Sequence, residues 1–391
     1  MIACKKGNPE IGGRFLAAKI YKEAVVVGAG PAGMGVALGL VRSGIQVVLL
    51  EKEESIGAQR RGETIRYDEE MDALLGDDFF MRQTIKKINK RTYFSHTGLK
   101  EVSRKISNPN LIINWTKFMQ DMGEVLRDEG VEIRLATEVR GFMEQSRAVT
   151  GVKTKEAGDS GDSFAAAAVF SCGGHLDPAS RYLKTDRSKI DFPVYKQLVK
   201  DYKGPDDRLE YYFHLDGNGL SIATIFPRGN FEAEIIIMST SAGASHKRIG
   251  FDAFCREHPK FARRIAGTVP FYSIDTFIPM GGMIRPCARR PGLIMLGDAV
   301  GHVQARGGSG IKSAFMIGYT AGSLSADIIK SGRWSKKDVR LFNKELEKSP
   351  AYIDLKRHNL LYLKMRPLVF GRIRTPGEMD KVWPLLKHAL R

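Results

Sequence analysis

Residues 23–51, EAVVVGAGPAGMGVALGLVRSGIQVVLLE, decide the fold. The β-branched run Glu23–Val27 predicts a buried strand. Pro31–Arg42 predicts a helix that Ser43-Gly44 stops, and Ile45–Leu50 a second buried strand ending at Glu51. The segment is therefore one β-α-β unit. Ala24–Val41 carries no charge and is long enough to span a membrane. Gly28, Gly30, Pro31 and Gly33 break it where a strand turns into a helix, which favours the β-α-β reading.

The turn reads Gly28-Ala29-Gly30-Pro31-Ala32-Gly33. Gly28 permits the tight turn, Gly30 lets backbone approach a pyrophosphate, and Gly33 lets the helix pack closely on the sheet. The helix start offers free N–H groups and a positive dipole end to phosphate. Glu51 follows Gly33 by 18 residues, where a carboxylate can accept hydrogen bonds from a ribose. This turn alone fits either NAD or FAD.

A second motif chooses between them. In Leu293-Ile294-Met295-Leu296-Gly297-Asp298-Ala299 a buried strand delivers Asp298 into a turn, where it can hold the ribityl hydroxyls of a flavin. Gly307-Gly308-Ser309-Gly310-Ile311 then opens a long helix over about 310–329, whose dipole can stabilise negative charge on a reduced flavin. Gly33 and Asp298 are 265 residues apart. Strand–turn–helix context at both ends points to FAD.

Between these motifs, Lys117–Asp128 has helical spacing, Val131–Leu135 is strand-like, and Glu138–Lys155 alternates around a turn near Ser146. Ala165–Phe170 is a buried strand leading into Cys172-Gly173-Gly174. From about Lys184 to Met283 the pattern changes to strand-like runs at 208–215, 220–226 and 231–238, separated by turn residues, which predicts an antiparallel sheet. From Lys336 the chain is helical and basic.

A length of 391 residues predicts two or three domains. We expect an extension over 1–20, a discontinuous FAD-binding domain over 21–90, 106–183 and 284–330, and a substrate domain over 91–105 and 184–283. A basic helical region over 331–391 follows. The four cysteines, Cys4, Cys172, Cys255 and Cys287, form no Cys-x-x-Cys pair, which argues against zinc and disulfides and suits a reducing cytoplasm. No residue cluster has metal-ligand spacing, and no apolar secretory segment is evident. Of the net charge of +17, residues 331–391 supply +9, from 15 Lys/Arg against 6 Asp/Glu. With Leu360, Leu361, Leu363, Phe370 and Trp383 interleaved, that tail suits an anionic membrane surface or an anionic substrate head group. A solvated helical surface is the plain alternative.

At this point the chain resembles a known family: the FAD-dependent aromatic hydroxylases of the p-hydroxybenzoate hydroxylase type, and more closely their geranylgeranyl reductase-like branch. The matching pieces are GAGPAG, Glu51-Lys52, Arg61-Gly62-Glu63, the 117–139 helix and strand, Phe226-Pro227, and 279–311. The resemblance implies an α/β (α+β) fold: a glutathione-reductase-type FAD domain, an inserted antiparallel substrate sheet roofing the site, and a helical C-terminal region. It adds Pro31, Ala32, Lys52, Arg61, Gly62, Val139, Gly308, Gly310 and Ile311 to the FAD contacts. It places Phe213, Phe226 and Pro227 at the substrate. His302 and Arg306 flank the flavin loop as a candidate proton donor and anion clamp, or as partners of loop carbonyls and solvent.

Several positions depart from the branch. Ile222-Ala223-Thr224-Ile225 precedes Phe226-Pro227 where Tyr-x-Trp-x is usual, and Arg61 stands for a Cys. Trp115 replaces an Arg, and Cys172-Gly173 replaces the hydroxylases' Asp-Gly pair. Ala305 and Lys312 stand where those enzymes favour Pro and Asn. The expected activity is FAD-dependent reduction of carbon–carbon double bonds in an apolar, isoprenoid-like substrate. The alternatives are a monooxygenase and a basic FAD-containing protein binding a membrane surface or nucleic acid, with nucleic acid disfavoured. Without an Asp-Gly pair or a second nucleotide motif, the expected electron donor is a ferredoxin or quinol rather than NAD(P)H. The expected location is cytoplasmic, peripheral to the inner face of the membrane.

Overall fold

The computed structural model describes residues 19–60, 62–155, 162–216, 219–239, 251–332 and 334–370, with 373, 375, 377–381 and 383. Of the expected extension over 1–20, only Lys19 and Ile20 are described, and they open the strand Lys19–Val27. The chain is built around two sheets.

In the first sheet, Lys19–Val27 lies between Val47–Leu50 and Ser163–Ser171, all parallel. Glu132–Arg134 extends the parallel order on one side and Leu293–Met295 on the other. The hairpin Glu138–Gln145/Ala148–Lys155 hangs from Ser163–Ser171, and its turn holds Ser146 and Arg147 at positive φ. Val25, Val26, Leu49 and Val169 are wholly buried, as the strands of a parallel sheet covered on both faces must be.

The helix Pro31–Arg42 packs on the helix Ile311–Lys330 with backbone against backbone. A Cβ on Gly35 would lie 2.1 Å from the Phe315 carbonyl oxygen, and one on Gly39 2.2 Å from that of Tyr319. From the other side, a Cβ on Gly318 would lie 2.4 Å from the Ala32 oxygen, and one on Gly322 2.4 Å from that of Val36. Four glycines thus leave the space through which the partner backbone passes. The Gly-rich turn leads into the first of these helices, and the Gly307–Gly310 run leads into the second, where the Cβ position of Gly310 lies 3.8 Å from Asp298 Oδ1.

The second sheet runs Val269–Ile278, Phe192–Lys200, Glu232–Ser239, Gly219–Gly229, Leu209–Asp216, Thr84–Phe94, Glu101–Ile113, Thr64–Arg66. Neighbours are antiparallel except Leu209–Asp216 beside Thr84–Phe94. Strand alternation divides its side chains between two faces. Ala223, Ile225, Ile235 and Ile237 pack on Phe254 and Phe261 of two short helices, Phe251–Glu257 and Pro259–Ile265. Ile222, Phe226, Ile236 and Met238 face the other way and roof a cavity.

The sequence led us to expect only 91–105 to join 184–283. The sheet in fact also takes in 64–66 and the whole of 84–94 and 101–113. Lys86, Lys87, Lys90 and Arg91 interrupt the apolar alternation of this hairpin, so its period was hidden. In the C-terminal region, helices span Lys336–Leu346 and Pro350–Phe370. Trp383, expected at a lipid interface, is instead 1% exposed and packs edge-on against Phe213 at 5.3 Å, beside Ile373 and Met379. The Phe370 side chain lies outside the described residues, while Leu360 and Leu361 are exposed. Among the described residues, no helix is long and apolar enough to cross a membrane.

Gly35→Val and Gly318→Val should each overpack the helix crossing and cost about 1–3 kcal/mol or more. Gly141→Ala, where a Cβ meets nothing within 4 Å, should leave the thermal midpoint nearly unchanged. Equal midpoints for all three variants would show that the crossing is not a tight constraint.

Candidate active site

The carboxyl ends of the parallel strands and the roof sheet enclose a cavity of about 1550 Å³. Ordinary small-molecule sites occupy roughly 300–1,000 Å³, so this one has room for a dinucleotide and a substrate together. Gly28, at φ +95°, turns beside Cys172, whose carbonyl oxygen would lie 2.7 Å from any Cβ there. Gly33 closes the turn from behind, with a Cβ position only 1.9 Å from the Gly28 oxygen, and does not line the cavity. A Cβ on Gly30 meets no protein atom within 4 Å, so this glycine leaves cavity space that a side chain would take. Pro31 and Ala32 line the same corner, and no side chain caps this helix start.

Glu51 ends its strand with its carboxylate held by two backbone donors, the N–H of Ala29 at 2.7 Å and that of Glu53 at 3.0 Å. A carboxylate has about four acceptor positions, so two remain for ribose hydroxyls. Lys52, Gly62 and Val139 line the cavity as well. Gly62 lies under Ile311 and Trp115, with a Cβ position 2.9 Å from Ile311 Cδ1. Arg61 lies outside the described residues.

The second turn touches the first: at Gly297, φ +68°, a Cβ would lie 2.7 Å from that of Ala32. Asp298, Gly308, Gly310 and Ile311 all line the cavity. Gly310 precedes the helix Ile311–Lys330, which also starts without a side-chain cap. Two braces were not read from the sequence. Arg187 donates to the carbonyl oxygens of Ala299 and Asp298 at 2.5 and 2.9 Å, while Asp191 holds its other edge. Asn359 accepts from the Ala305 N–H and donates to the Val303 oxygen. Both are lone polar residues without a motif, and only tertiary contact gives them a role. Two uncapped helix starts, a glycine corner, Glu51 and Asp298 together fit an FAD.

The two catalytic candidates separate. Arg306 lines the cavity. His302 does not: it is fully buried, with Nδ1 accepting from the Gly297 N–H and Nε2 3.6 Å from Cys287 Sγ. Burial pushes its imidazole down to about 3, so it is neutral, protonated on Nε2. Cys172 lines the cavity, but burial holds its thiol well above the ordinary range. Asp177, missed in the sequence, is wholly buried and accepts from Ser171 Oγ and the N–H groups of Gly173, Ala179 and Ser180. Its Asp-Pro pair opening a short helix was the available signal.

On the roof, Phe213 and Phe226 line the cavity and Pro227 does not. A buried ionic group sits among these apolar side chains. Lys196 Nζ lies 2.7 Å from Glu234 and 3.9 Å from Glu63. Glu63 in turn accepts from Arg228 and from Arg60 Nε at 2.9 Å. Glu63, next to Gly62 at the cofactor corner, thereby ties that corner to the roof.

Glu51→Ala and Asp298→Ala should each weaken FAD binding about tenfold to hundredfold, since each removes hydrogen bonds involving a charged group. The flavin-to-protein absorbance ratio measures this, and full occupancy in both variants would refute the assignment. The buried histidines generate a second prediction. His258 accepts from the Phe261 N–H, faces the Ser95 oxygen, and is pushed down to about 4 by burial. Folded-state values for His258 and His302 lie below the unfolded value near 6.5. Their contribution is therefore complete above about pH 6.5 and is lost as pH falls toward 4 and 3. At pH 5 each should cost about 2 kcal/mol, and His302→Asn, which keeps an acceptor for Gly297, should flatten the fall in melting temperature between pH 7 and 5. An unchanged slope would mean that His302 titrates normally.

Residues 21–330 match the family described as FAD binding domain. A digeranylgeranylglycerophospholipid reductase from Methanocella arvoryzae is 25% identical over 343 residues, covering 84% of this chain and 83% of that protein. One from Methanosphaera stadtmanae is 26% identical over 331 residues, covering 81% and 77%. Among solved structures, a geranylgeranyl bacteriochlorophyll reductase-like protein from Thermoplasma acidophilum superposes with a TM-score of 0.80 at 16% identity, covering 95% of this chain and 92% of its own. The p-nitrophenol 4-monooxygenase of Pseudomonas putida gives 0.68 at 17% identity, covering 95% and 94%. The fold is thus shared by reductase-like and oxygenating flavoproteins. With the match spanning most of its length, the chain belongs to the FAD binding domain family and is an FAD-dependent oxidoreductase.

Proposed function

We propose that this oxidoreductase reduces carbon–carbon double bonds of an apolar, isoprenoid-like substrate. The observation that carries the reading is the roof face: Val194, Phe213, Ile222, Phe226, Ile236 and Met238 present apolar side chains to the cavity. Such a surface orients a hydrocarbon by shape and keeps water from the reacting carbons. The names of the curated relatives support the same substrate class.

Bound and reduced, FAD supplies the hydride for such a reduction. This chain's own groups do the rest. The apolar roof presses the double bond toward the cofactor corner. Lys196 Nζ, paired with Glu234, holds a proton on the roof for the second carbon. Leu361, exposed at the cavity lining on helix Pro350–Phe370, supports approach to a lipid surface. The donor of electrons is taken to be a ferredoxin or quinol, because Cys172, buried and protonated, replaces the Asp of an Asp-Gly pair. Hydroxylation remains the alternative, supported by fold likeness alone.

The test is anaerobic. Holoprotein reduced with dithionite is mixed with a geranylgeranyl lipid while the oxidised flavin band is followed. Reoxidation without oxygen, with product gaining a pair of hydrogens, is expected, and millimolar NADPH should fail to bleach the flavin within a second. A product that forms only with oxygen and carries a hydroxyl group would replace this reading with the monooxygenase one.

A further inference from the structure

Two buried polar groups interrupt the apolar middle of the roof. Lys196 stands opposite Ile236 in one antiparallel pair, and Ile236 stands opposite Thr224 in the next. The three form one row across the sheet, on the face that lines the cavity. Ile274 continues the row on the edge strand. One adjacent row is Val194, Met238 and Ile222, and the other carries Glu234 and Phe226. Lys196 and Thr224 are each 2% exposed.

Neither polar group is satisfied by the described residues. Thr224 Oγ1 is buried without a hydrogen-bond partner among them. Lys196 Nζ lies 2.7 Å from Glu234 and 3.9 Å from Glu63, yet it makes no aligned hydrogen bond among the described residues. An ammonium has three N–H donors, so the carboxylates balance its charge and leave donors over. A bare hydrocarbon packed on this row would cover both groups and leave them unpaired, at the full desolvation cost of each. Thr224 is also one of the departures from the resembling branch: a short hydroxyl side chain stands in place of a Trp ring.

We infer that the reducible double bond is conjugated with a carbonyl group, whose oxygen lies on the row between Lys196 and Thr224 and accepts from both. Two strand spacings put about 10 Å between their Cα atoms, a gap that the long Lys196 side chain and one carbonyl group can bridge. The inference rests on the carbon–carbon reduction proposed above and adds the class of alkene: an isoprenoid-like enal or enone, in place of an isolated double bond. The β carbon takes the hydride that reduced FAD supplies, and the displaced π electrons leave a negative charge on the carbonyl oxygen. Lys196 and Thr224 stabilise that charge where it develops. A proton then passes from Lys196 Nζ to this oxygen, and the enol tautomerises, so that the proton ends on the second carbon. The neutral amine regains a proton from solvent.

Anaerobic reoxidation of the dithionite-reduced, FAD-loaded full chain tests this with three probes: geranylgeranial, geranylgeraniol and cyclohex-2-enone. Thr224→Val and Lys196→Met are compared with the wild type, with flavin content and thermal midpoint as folding controls. Thr224→Val keeps the side-chain shape and removes only the hydroxyl, so it keeps the test valid if Lys196→Met misfolds. The enal should reoxidise the wild type roughly tenfold to hundredfold faster than the alcohol, with the double bond next to the carbonyl saturated in the product. Each substitution should remove most of that difference. The alcohol reacting as fast as the enal, a product reduced at the carbonyl, or a difference that survives in every folded variant overturns the inference and leaves the isoprenoid reading to its own test. Substitutions that slow both prenyl probes equally would assign the two donors to the flavin and overturn it as well. Cyclohexenone reduced by wild type and not by Thr224→Val, with neither prenyl compound reacting, would keep the carbonyl site and sink the isoprenoid reading instead. No reoxidation by any probe would overturn both.

Discussion

The contact on which the site depends is the crossing of Pro31–Arg42 and Ile311–Lys330. Gly35, Gly39, Gly318 and Gly322 let the two backbones meet, which sets the interhelix distance by carbonyl contact rather than by side-chain length. Each helix start follows a glycine turn, so the crossing fixes one turn against the other. Ala32 and Gly297 then touch directly. A dinucleotide bound in an extended form places its pyrophosphate and its ring system at two well-separated points. Fixing the two helix starts at a set separation is what makes a single chain complementary to that arrangement.

The roof is built for a different task. Its face over the cavity is apolar in the middle, with a paired buried charge group at Lys196, Glu234, Glu63 and Arg228 and an arginine cluster at one end. Breaking a buried pair by removing one partner is strongly destabilising, by about 3–5 kcal/mol. Glu63–Arg228 is such a pair, and it joins a loop of the cofactor corner to the strand carrying Phe226. The two halves of the site are thus held together by an interaction that tolerates little change on either side.

Much of the nucleotide half was legible because its signals are local. A β-branched run, a glycine turn and a terminal acid occur within residues 23–51, and the structure places their strand, turn and helix there. The roof was legible only in part. Three strand-like runs between 208 and 238 were visible, whereas Thr84–Phe94 and Glu101–Ile113 were masked by lysines and arginines that face solvent or the cavity mouth. His302 looked accessible from its place beside the flavin loop, yet its ring turns inward to the Gly297 N–H and Cys287. Trp383 looked interfacial in a basic tail, yet it covers Phe213. In both cases an amphipathic side chain had two environments open to it, and distant packing chose the buried one.

The glycine crossing also bears on how the protein is made. The central strand Lys19–Val27 needs Ser163–Ser171 beside it, that strand needs Leu293–Met295, and the first helix needs Ile311–Lys330. A growing chain that has emerged only to residue 150 therefore exposes Pro31–Arg42 with a bare glycine face and an unfinished sheet edge. Contacts this distant in sequence close late, because the intervening loop must be ordered first. During synthesis on the ribosome the nucleotide-binding half begins before the roof sheet and is completed only after it. Throughout that interval its valine-rich strand is an open edge that chaperones or premature partners can meet.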